Sequence, residues 1–344
     1  MYENSIVHVK DCNSTGLDLV PLNSIIMNKM TGEIFQLTDK TGILTTTKFC
    51  DITLNLLMSN DKLTGAGLFY GGYDNTTVFN KTTLLSSAVL FQTETNVGTV
   101  RYLVSGANIG NNDGIFYSGR GNPFSYSSTV TILTSKAILK FSETAIGHGR
   151  WNAKGANVGT NALFYNGYEN GYWNLTTLLT PSGTLAQAEN SVGSSRDFHA
   201  GASVPISFNA MYYGGNNTGV FNNLITILTP TATLLQAETN VGKQRTGLSG
   251  TRCLSNLLFW GGWDNTSGTL STATLLTPSG TLAQAETNVG TKQSYMASCN
   301  SGSNSLYFGG VQSNMIKVIN SSVVVAQADS FAGTARGYLG GASV

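Results

Sequence analysis

The sequence predicts an all-β fold: a six-bladed β-propeller built from four-stranded antiparallel blades. Three observations predict it. An apolar-aromatic strand centred on Tyr70, Tyr117, Tyr165, Tyr213, Trp260 and Phe308 returns at intervals of 47, 48, 48, 47 and 48 residues. Each interval holds four strand-like pieces. The last residues repeat the opening strand of a unit, and the first unit lacks that strand.

The third unit shows the pieces in order. They are Arg150 to Val158, Ala162 to Tyr165, Leu175 to Leu179, and Thr184 to Glu189. Pro181-Ser182-Gly183 forms a tight turn before the fourth piece, as Pro278-Ser279-Gly280 does later. Proline pre-sets φ early in a turn and glycine tolerates the position after it. Threonines crowd the third piece, where β-branching suits a pleated surface. Short strands repeated radially leave only short, protected edges. A superhelical stack of blades is the alternative, and the chain ends argue against it. Arg336 to Val344 matches Arg101 to Ile109, so the C-terminal strand is expected to complete the blade begun near Leu68 and close the ring.

Charge is scarce: the net formal charge is +1 and 11% of residues are charged, against about 25% in ordinary globular chains. This balance argues against a nucleic-acid groove. No apolar run is long enough for a membrane span, and Met1 to Lys10 does not read as a signal peptide. The charges that remain are ordered. Glu94 precedes Arg101 by seven residues, and Glu143–Arg150, Glu189–Arg196, Glu238–Arg245 and Asp329–Arg336 repeat the spacing. These are expected to be structural ion pairs at blade junctions, with Glu286, which faces Gln293, left unpaired. The glycines at 106, 155, 201, 250 and 341, and Ser298, are expected to let the inner strands crowd the axis.

Residues 1–60 form a separate leading segment, and residues 61–344 the propeller. Ser24 to Met27 and Ile34 to Leu37 read as a small β-hairpin, with a second turn at Asp39 to Gly42 and a strand-like stretch from Asp51 to Met58. Cys253 and Cys299 fall where other units place Ile, Val or Ala and are expected to be buried. The three histidines share no repeat position, so no metal set and no cofactor is expected. No Asp-box and no Gly-x-Ser-x-Gly elbow is present, and the chain is not expected to be an enzyme.

After the second strand come amide-rich tips carrying an aromatic: Tyr73-Asp74-Asn75, Tyr168 with Asn170, and Trp263-Asp264-Asn265. Two readings stay open. Such residues suit a sugar, whose apolar face stacks on a ring while its hydroxyls find donors and acceptors. They equally form ordinary Asx turns with a ring covering the blade end. Their placement on alternate blades suggests a quasi-threefold display. Phe79, Trp173 and Phe221, just before the third strand, read as packing between blades.

The double glycine after an apolar-aromatic strand, the preceding arginine and the repeat length together resemble the kelch repeat, which implies propeller blades and C-terminal closure. The usual tryptophan after the third strand is replaced by the pattern at 178–185 and 275–282. Met30 to Phe35 resembles short β-elements of bacteriophage tail and fibre proteins, a resemblance shared by the Asn, Thr, Ser and Gly richness. It implies a virion protein in a multi-copy assembly. Residues 1–60 would bind other virion proteins, and the propeller would meet host-surface glycan or neighbouring virion proteins. The alternatives are a free-standing lectin-like or adaptor propeller, and an enzyme with acids converging across blades.

Overall fold

The computed structural model describes residues 6–9, 25–28, 34–36, 66–86, 88–110, 112–121, 125–205 and 207–344. The chain divides into two compact units, Met1–Asp61 and Lys62–Val344. In the first, Ile25–Asn28 pairs antiparallel with Ile34–Gln36, and Ile6–Val9 adds a parallel strand to Ile25–Asn28. The turn expected at Asp39 to Gly42 and the strand at Asp51 to Met58 lie outside the described residues.

The second unit is a six-bladed propeller of antiparallel sheets, with no helix among the described residues. Blade two runs from its inner strand outward through Ser105–Ile109, Asp113–Tyr117, Thr129–Leu133 and Thr144–Ala145. Blades three to six follow the same order, with inner strands Lys154–Val158, Ala200–Ser203, Ser249–Cys253 and Met296–Ser301. Blade one is composite. Its inner strand, Gly340–Ser343, pairs with Ala66–Tyr70 in the register Gly340 to Tyr70 and Ser343 to Gly67. Val344 and Ala66 exchange two further backbone hydrogen bonds of 2.9 and 3.2 Å. The chain therefore closes its ring with its last strand.

The outer strands differ from the sequence expectation. In blade three the stretch Thr184 to Glu189 is not the fourth strand. It contributes a single bridge, Leu179 to Leu185, and the strand is Asn190–Ser191. In blade one, Thr95–Asn96 likewise pairs with the third strand from outside. The Thr180-Pro181-Ser182-Gly183-Thr184 turn explains the shift. The Thr180 N–H donates to the Thr184 carbonyl and the Thr180 carbonyl accepts from the Gly183 N–H, so the chain is still turning where a strand is expected to begin.

The core sits between blades. Each second strand contributes a ring that meets the ring of the next blade, as in Tyr70–Phe116, Tyr117–Phe164, Tyr165–Tyr212 and Trp260–Tyr307, with centroids 4.9 to 5.2 Å apart. The Phe69–Phe308 pair does the same across the closure. Such pairs add about 0.5–1.5 kcal/mol each beyond the area they bury. At the axis a Cβ on Gly106 would stand 2.5 Å from the carbonyl of Gly341, and one on Gly155 2.6 Å from that of Gly106. A side chain at either glycine would meet the neighbouring backbone. Ser298 occupies the equivalent place in blade six by donating its hydroxyl to the Gly250 carbonyl at 2.8 Å.

The ion pairs join a different set of partners from those the sequence spacing suggests. Arg101 pairs with Glu143, Arg150 with Glu189, Arg196 with Glu238, Arg245 with Glu286, and Arg336 with Glu94. The seven-residue neighbour belongs to the preceding blade. The guanidinium instead runs beneath its own blade, bonding the third-strand threonine (Thr177 for Arg150, at 2.7 Å) on its way to the acid beside its own outer strand. Glu286 is therefore paired. Asp329 pairs with Lys317 rather than with Arg336.

Lys317 stands where the other blades have Thr83, Thr131, Thr177, Thr226 and Thr274, and Gln293 stands in the arginine position of the same blade. The cation has moved from one strand to another. Its seat is unchanged: Lys317 lies 5.3 Å from the Trp260 ring, as the arginines lie 5.4 to 5.9 Å from Tyr70, Tyr117, Tyr165, Tyr213 and Phe308. Each cation thus binds an acid of its own blade and caps a ring of the blade before.

The acid completes the junction. Glu94 accepts from Thr334 of the preceding blade at 2.6 and 2.9 Å, and Glu189 accepts the His148 N–H at 3.0 Å. The turn it meets needs glycine. Gly98, at φ 63°, lies against Glu143, and Gly333, at φ 66°, lies against Glu94. Burial alone would raise the carboxyl of Glu94. Hydrogen bonds from Thr334 and Thr83 and the charge of Arg336 outweigh it and hold the group below its ordinary value. Glu143 and Glu189 are depressed by the same balance.

Candidate functional site

One face of the disc carries the loops between second and third strands and the opening ends of the inner strands. Here it is called the upper face. Its centre is unusual in backbone conformation. Leu103, Asn152, Phe198, Tyr295 and Tyr338 are left-handed, with φ between 49° and 62°, and Gly247 fills the sixth place at 63°. Non-glycine residues in this region cost about 1–3 kcal/mol each and persist only where surroundings hold them. Here a relay of backbone bonds, open between Phe198 and Asn152, does so. Tyr338 N donates to Tyr295 O at 2.9 Å, Tyr295 N to Gly247 O at 2.7 Å, Gly247 N to Phe198 O at 2.8 Å, and Leu103 N to Tyr338 O at 2.7 Å.

The conformation gathers these side chains around the axis. Tyr338 packs on Tyr295 at 4.8 Å, Tyr295 on Phe198 at 5.4 Å, Phe198 on Trp151 at 6.0 Å, and Trp151 on Tyr168 at 5.3 Å. Tyr172 extends the series beyond Tyr168. Tyr73 and Tyr102 stack at 5.2 Å, close enough to Tyr338 to help raise its phenol, although burial is the larger cause. Burial, with Tyr338 and Asp197 adding to it, pushes Tyr295 up to about 12. All these rings are half-buried, each keeping part of its surface at solvent.

Beneath them lies a polar group confined to blades three and four. Asp197 is 3% exposed and one of its oxygens has no protein partner. Burial raises its carboxyl to about 7 against the opposing charge of Lys154. Burial likewise lowers Lys154 to about 8. His199 is fully buried, faces the Tyr165 and Tyr212 rings, and has both ring nitrogens unpartnered. Burial, reinforced by Arg196 and Lys154, keeps it well below its ordinary value and neutral.

The residues singled out by sequence separate into two places. Tyr73 and Tyr168 belong to the axial aromatic group. Trp263 instead packs edge-on against Phe221 at 5.2 Å, so the three rings do not form one threefold set. Asp264 and Asn265 line a shallow cleft of about 470 Å³ with Phe221 and Lys243. Asp74 and Asp264 hold Asx turns: Asp74 accepts from the N–H groups of Thr76 and Thr77, and Asp264 from that of Thr266. Asp264 is also fixed by Lys243 at 2.6 Å. Burial would raise its carboxyl, and Lys243 with the loop N–H groups holds it below the usual carboxylate range. Asn75 and Asn170 are the left-handed residues of their turns, at φ 78° and 52°.

Sequence reading missed Tyr102, Trp151, Phe198, Tyr295 and Tyr338. Their signal is local: an aromatic one or two places after the arginine position, as in Arg150-Trp151 and Arg336-Gly337-Tyr338. Regular strand patterning hides it, because these residues sit where the chain leaves the turn and the strand has not begun. No family model matches the chain, and no curated protein matches its sequence.

Proposed function

We propose that this chain is a non-enzymatic, kelch-like propeller carried on a bacteriophage particle, attached through residues 1–60 and presenting its upper face to a host-surface glycan. The observation that carries the glycan contact is the aromatic group from Tyr172 to Tyr338: half-buried rings, held by neighbours, around one axis. Pre-positioned rings with part of their surface at solvent stack on the apolar face of a sugar with little loss of side-chain freedom. The cleft lined by Asp264, Asn265 and Phe221 on the same face adds donors and acceptors. Virion attachment rests on the composition and on the likeness of the leading hairpin to tail and fibre elements.

The same aromatic face supports the second reading, a free-standing lectin-like propeller. Two experiments separate the readings. Glycan-array binding by the full chain tests the face, and a flat array overturns the contact. Cross-linking in the native assembly tests attachment. Adducts from residues 1–60 to another structural protein are expected, and their absence leaves the lectin.

A further inference from the structure

The axis carries two cations that the repeat does not require. Six inner strands, rich in glycine, alanine and serine, line a tunnel of about 200 Å³. At the Lys154 position the other blades place Ser105, Ala200, Ser249, Ala297 and Gly340. At the Arg252 position they place Asn108, Asn157, Ser203, Asn300 and Ser343. The second ring forms the mouth on the lower face. Asn157 and Asn300 are fixed there by amide bonds of 3.0 Å to the carbonyls of Asn108 and Arg252. Arg252 uses its Nε on Leu254 O at 3.1 Å and is otherwise exposed.

At the other end, under Leu103, Phe198, Tyr295 and Tyr338, lies a separate narrow pocket of about 10 Å³, room for about one water. Lys154 lines both the tunnel and this pocket. Among the described residues its ammonium has neither a hydrogen bond nor an ion pair within 4.0 Å. Asn152 lines the narrow pocket at 1% exposure, and neither its Oδ1 nor its Nδ2 has a protein partner. The ammonium is not sealed: Lys154 keeps part of its surface at the tunnel. Asp197 supplies its field without reaching it.

We propose that the tunnel binds a small oxyanion, which enters past Arg252 and rests against the Lys154 ammonium. The site is blind, so affinity rests on the floor and uptake on the mouth. Electrostatic attraction at an opening governs association more than residence.

The test is titration calorimetry of the full chain with sodium sulfate, phosphate and acetate, each at constant ionic strength. One saturable site is expected. Lys154→Met should weaken it by at least about tenfold, and Asn152→Leu, which alters the water-sized pocket beyond, should change it little. Arg252→Gln should slow association several-fold in stopped flow and leave the dissociation rate nearly unchanged. Melting without anion shows whether each variant folds. Should Lys154→Met fail to fold, crystals of the unaltered protein soaked in sodium bromide replace it, with an anomalous peak expected beside Lys154 Nζ. No saturable heat at millimolar anion, unaltered binding in the folded Lys154→Met protein, or a bromide map without that peak would each overturn the proposal.

Discussion

Arg336 Nη1 stands 2.9 Å from Glu94 Oε1 and joins the end of the chain to its first blade. The same guanidinium donates to the Gly71 carbonyl at 2.7 Å and to the Thr83 hydroxyl at 2.6 Å, and it is fully buried. Removing one member of a buried pair strands the other charge, which costs about 3–5 kcal/mol. Arg336→Ala is therefore expected to lower unfolding stability in urea by about that amount. Arg150→Ala, whose pair with Glu189 lies inside one continuous blade, provides the comparison. Both should be severe, but only Arg336→Ala should also free the last strand. Faster hydrogen exchange at Gly340 to Ser343, absent from Arg150→Ala, would show it. Equal exchange in the two variants would mean that the seam does not depend on this contact.

Lys317 and Gln293 are a compensated exchange. In blade six the cation rises from the third strand, and the glutamine that replaces arginine donates its amide to the Gly309 carbonyl at 2.7 Å. Lys317→Thr should leave Asp329 without its cation and the Trp260 ring uncapped, at a cost of about 2–4 kcal/mol. Adding Gln293→Arg should restore most of it, because the five other blades show that arginine and threonine together fill the same space. A double variant no more stable than Lys317→Thr would show that blade six has repacked around its lysine.

The architecture was legible because its causes are periodic. Second-strand aromatics, threonines and turn glycines recur with the blade, and the unpaired first unit called for a closing strand. The ion pairs were half legible. Their residues stand out in a chain so poor in charge, yet sequence proximity pointed to the wrong partner, since Glu94 and Arg101 lie on adjacent blades while Arg336 comes to Glu94 through closure. The upper face was least legible. Tyr73 and Tyr168 lie in amide-rich tips that draw notice, whereas Phe198 and Tyr295 owe their positions to left-handed backbone, which spacing does not display. The four polar departures Asn152, Lys154, Asp197 and His199 are separate in sequence and meet only where blades three and four approach the axis.

The two groups of aromatics should separate on binding. Trp151 touches both Tyr168 and Phe198 within the axial group, while Trp263 contacts Phe221 at the blade-four and blade-five cleft. If the axial rings stack on a sugar, Trp151→Ala should reduce array signal by about tenfold or more, consistent with losing one aromatic anchor. Trp263→Ala should change it little. The reverse order would move the contact to the cleft.

Burial pushes both described thiols up, Cys253 moderately and Cys299 far. A neutral buried thiol is a poor nucleophile. In the folded protein, maleimide should leave both unlabelled while denaturant exposes them, as peptide mass mapping would show. Rapid native labelling of Cys253, whose thiol lies 3.7 Å from the Ser303 carbonyl, would reveal an opening between blades five and six.

His199 sets an acid limb on stability. Its native value lies well below the 6.5 of the free ring, so the folded chain holds it neutral and the unfolded chain takes up its proton first. The sign follows: its contribution is fully present above about pH 6.5 and is lost as pH falls through that value toward the native one. Glu94, Glu143 and Glu189 act in the same direction at lower pH, below their ordinary value of 4.5. Asp197 acts oppositely, because its native value near 7 exceeds the free 3.8, so its contribution falls as pH rises between them. At the His199 position other blades carry Val104, Ala153, Leu248, Met296 and Leu339. His199→Leu removes two unpartnered nitrogens from an apolar setting and should stabilise the protein at pH 7 by about 1–3 kcal/mol. It should also remove the part of the stability loss that falls between pH 6.5 and 5, while Asp197→Asn should make that loss steeper by deleting the opposing slope. Urea titrations of the three proteins across this range test both signs, and a His199→Leu curve parallel to that of the unaltered chain would show that the imidazole does not titrate on unfolding.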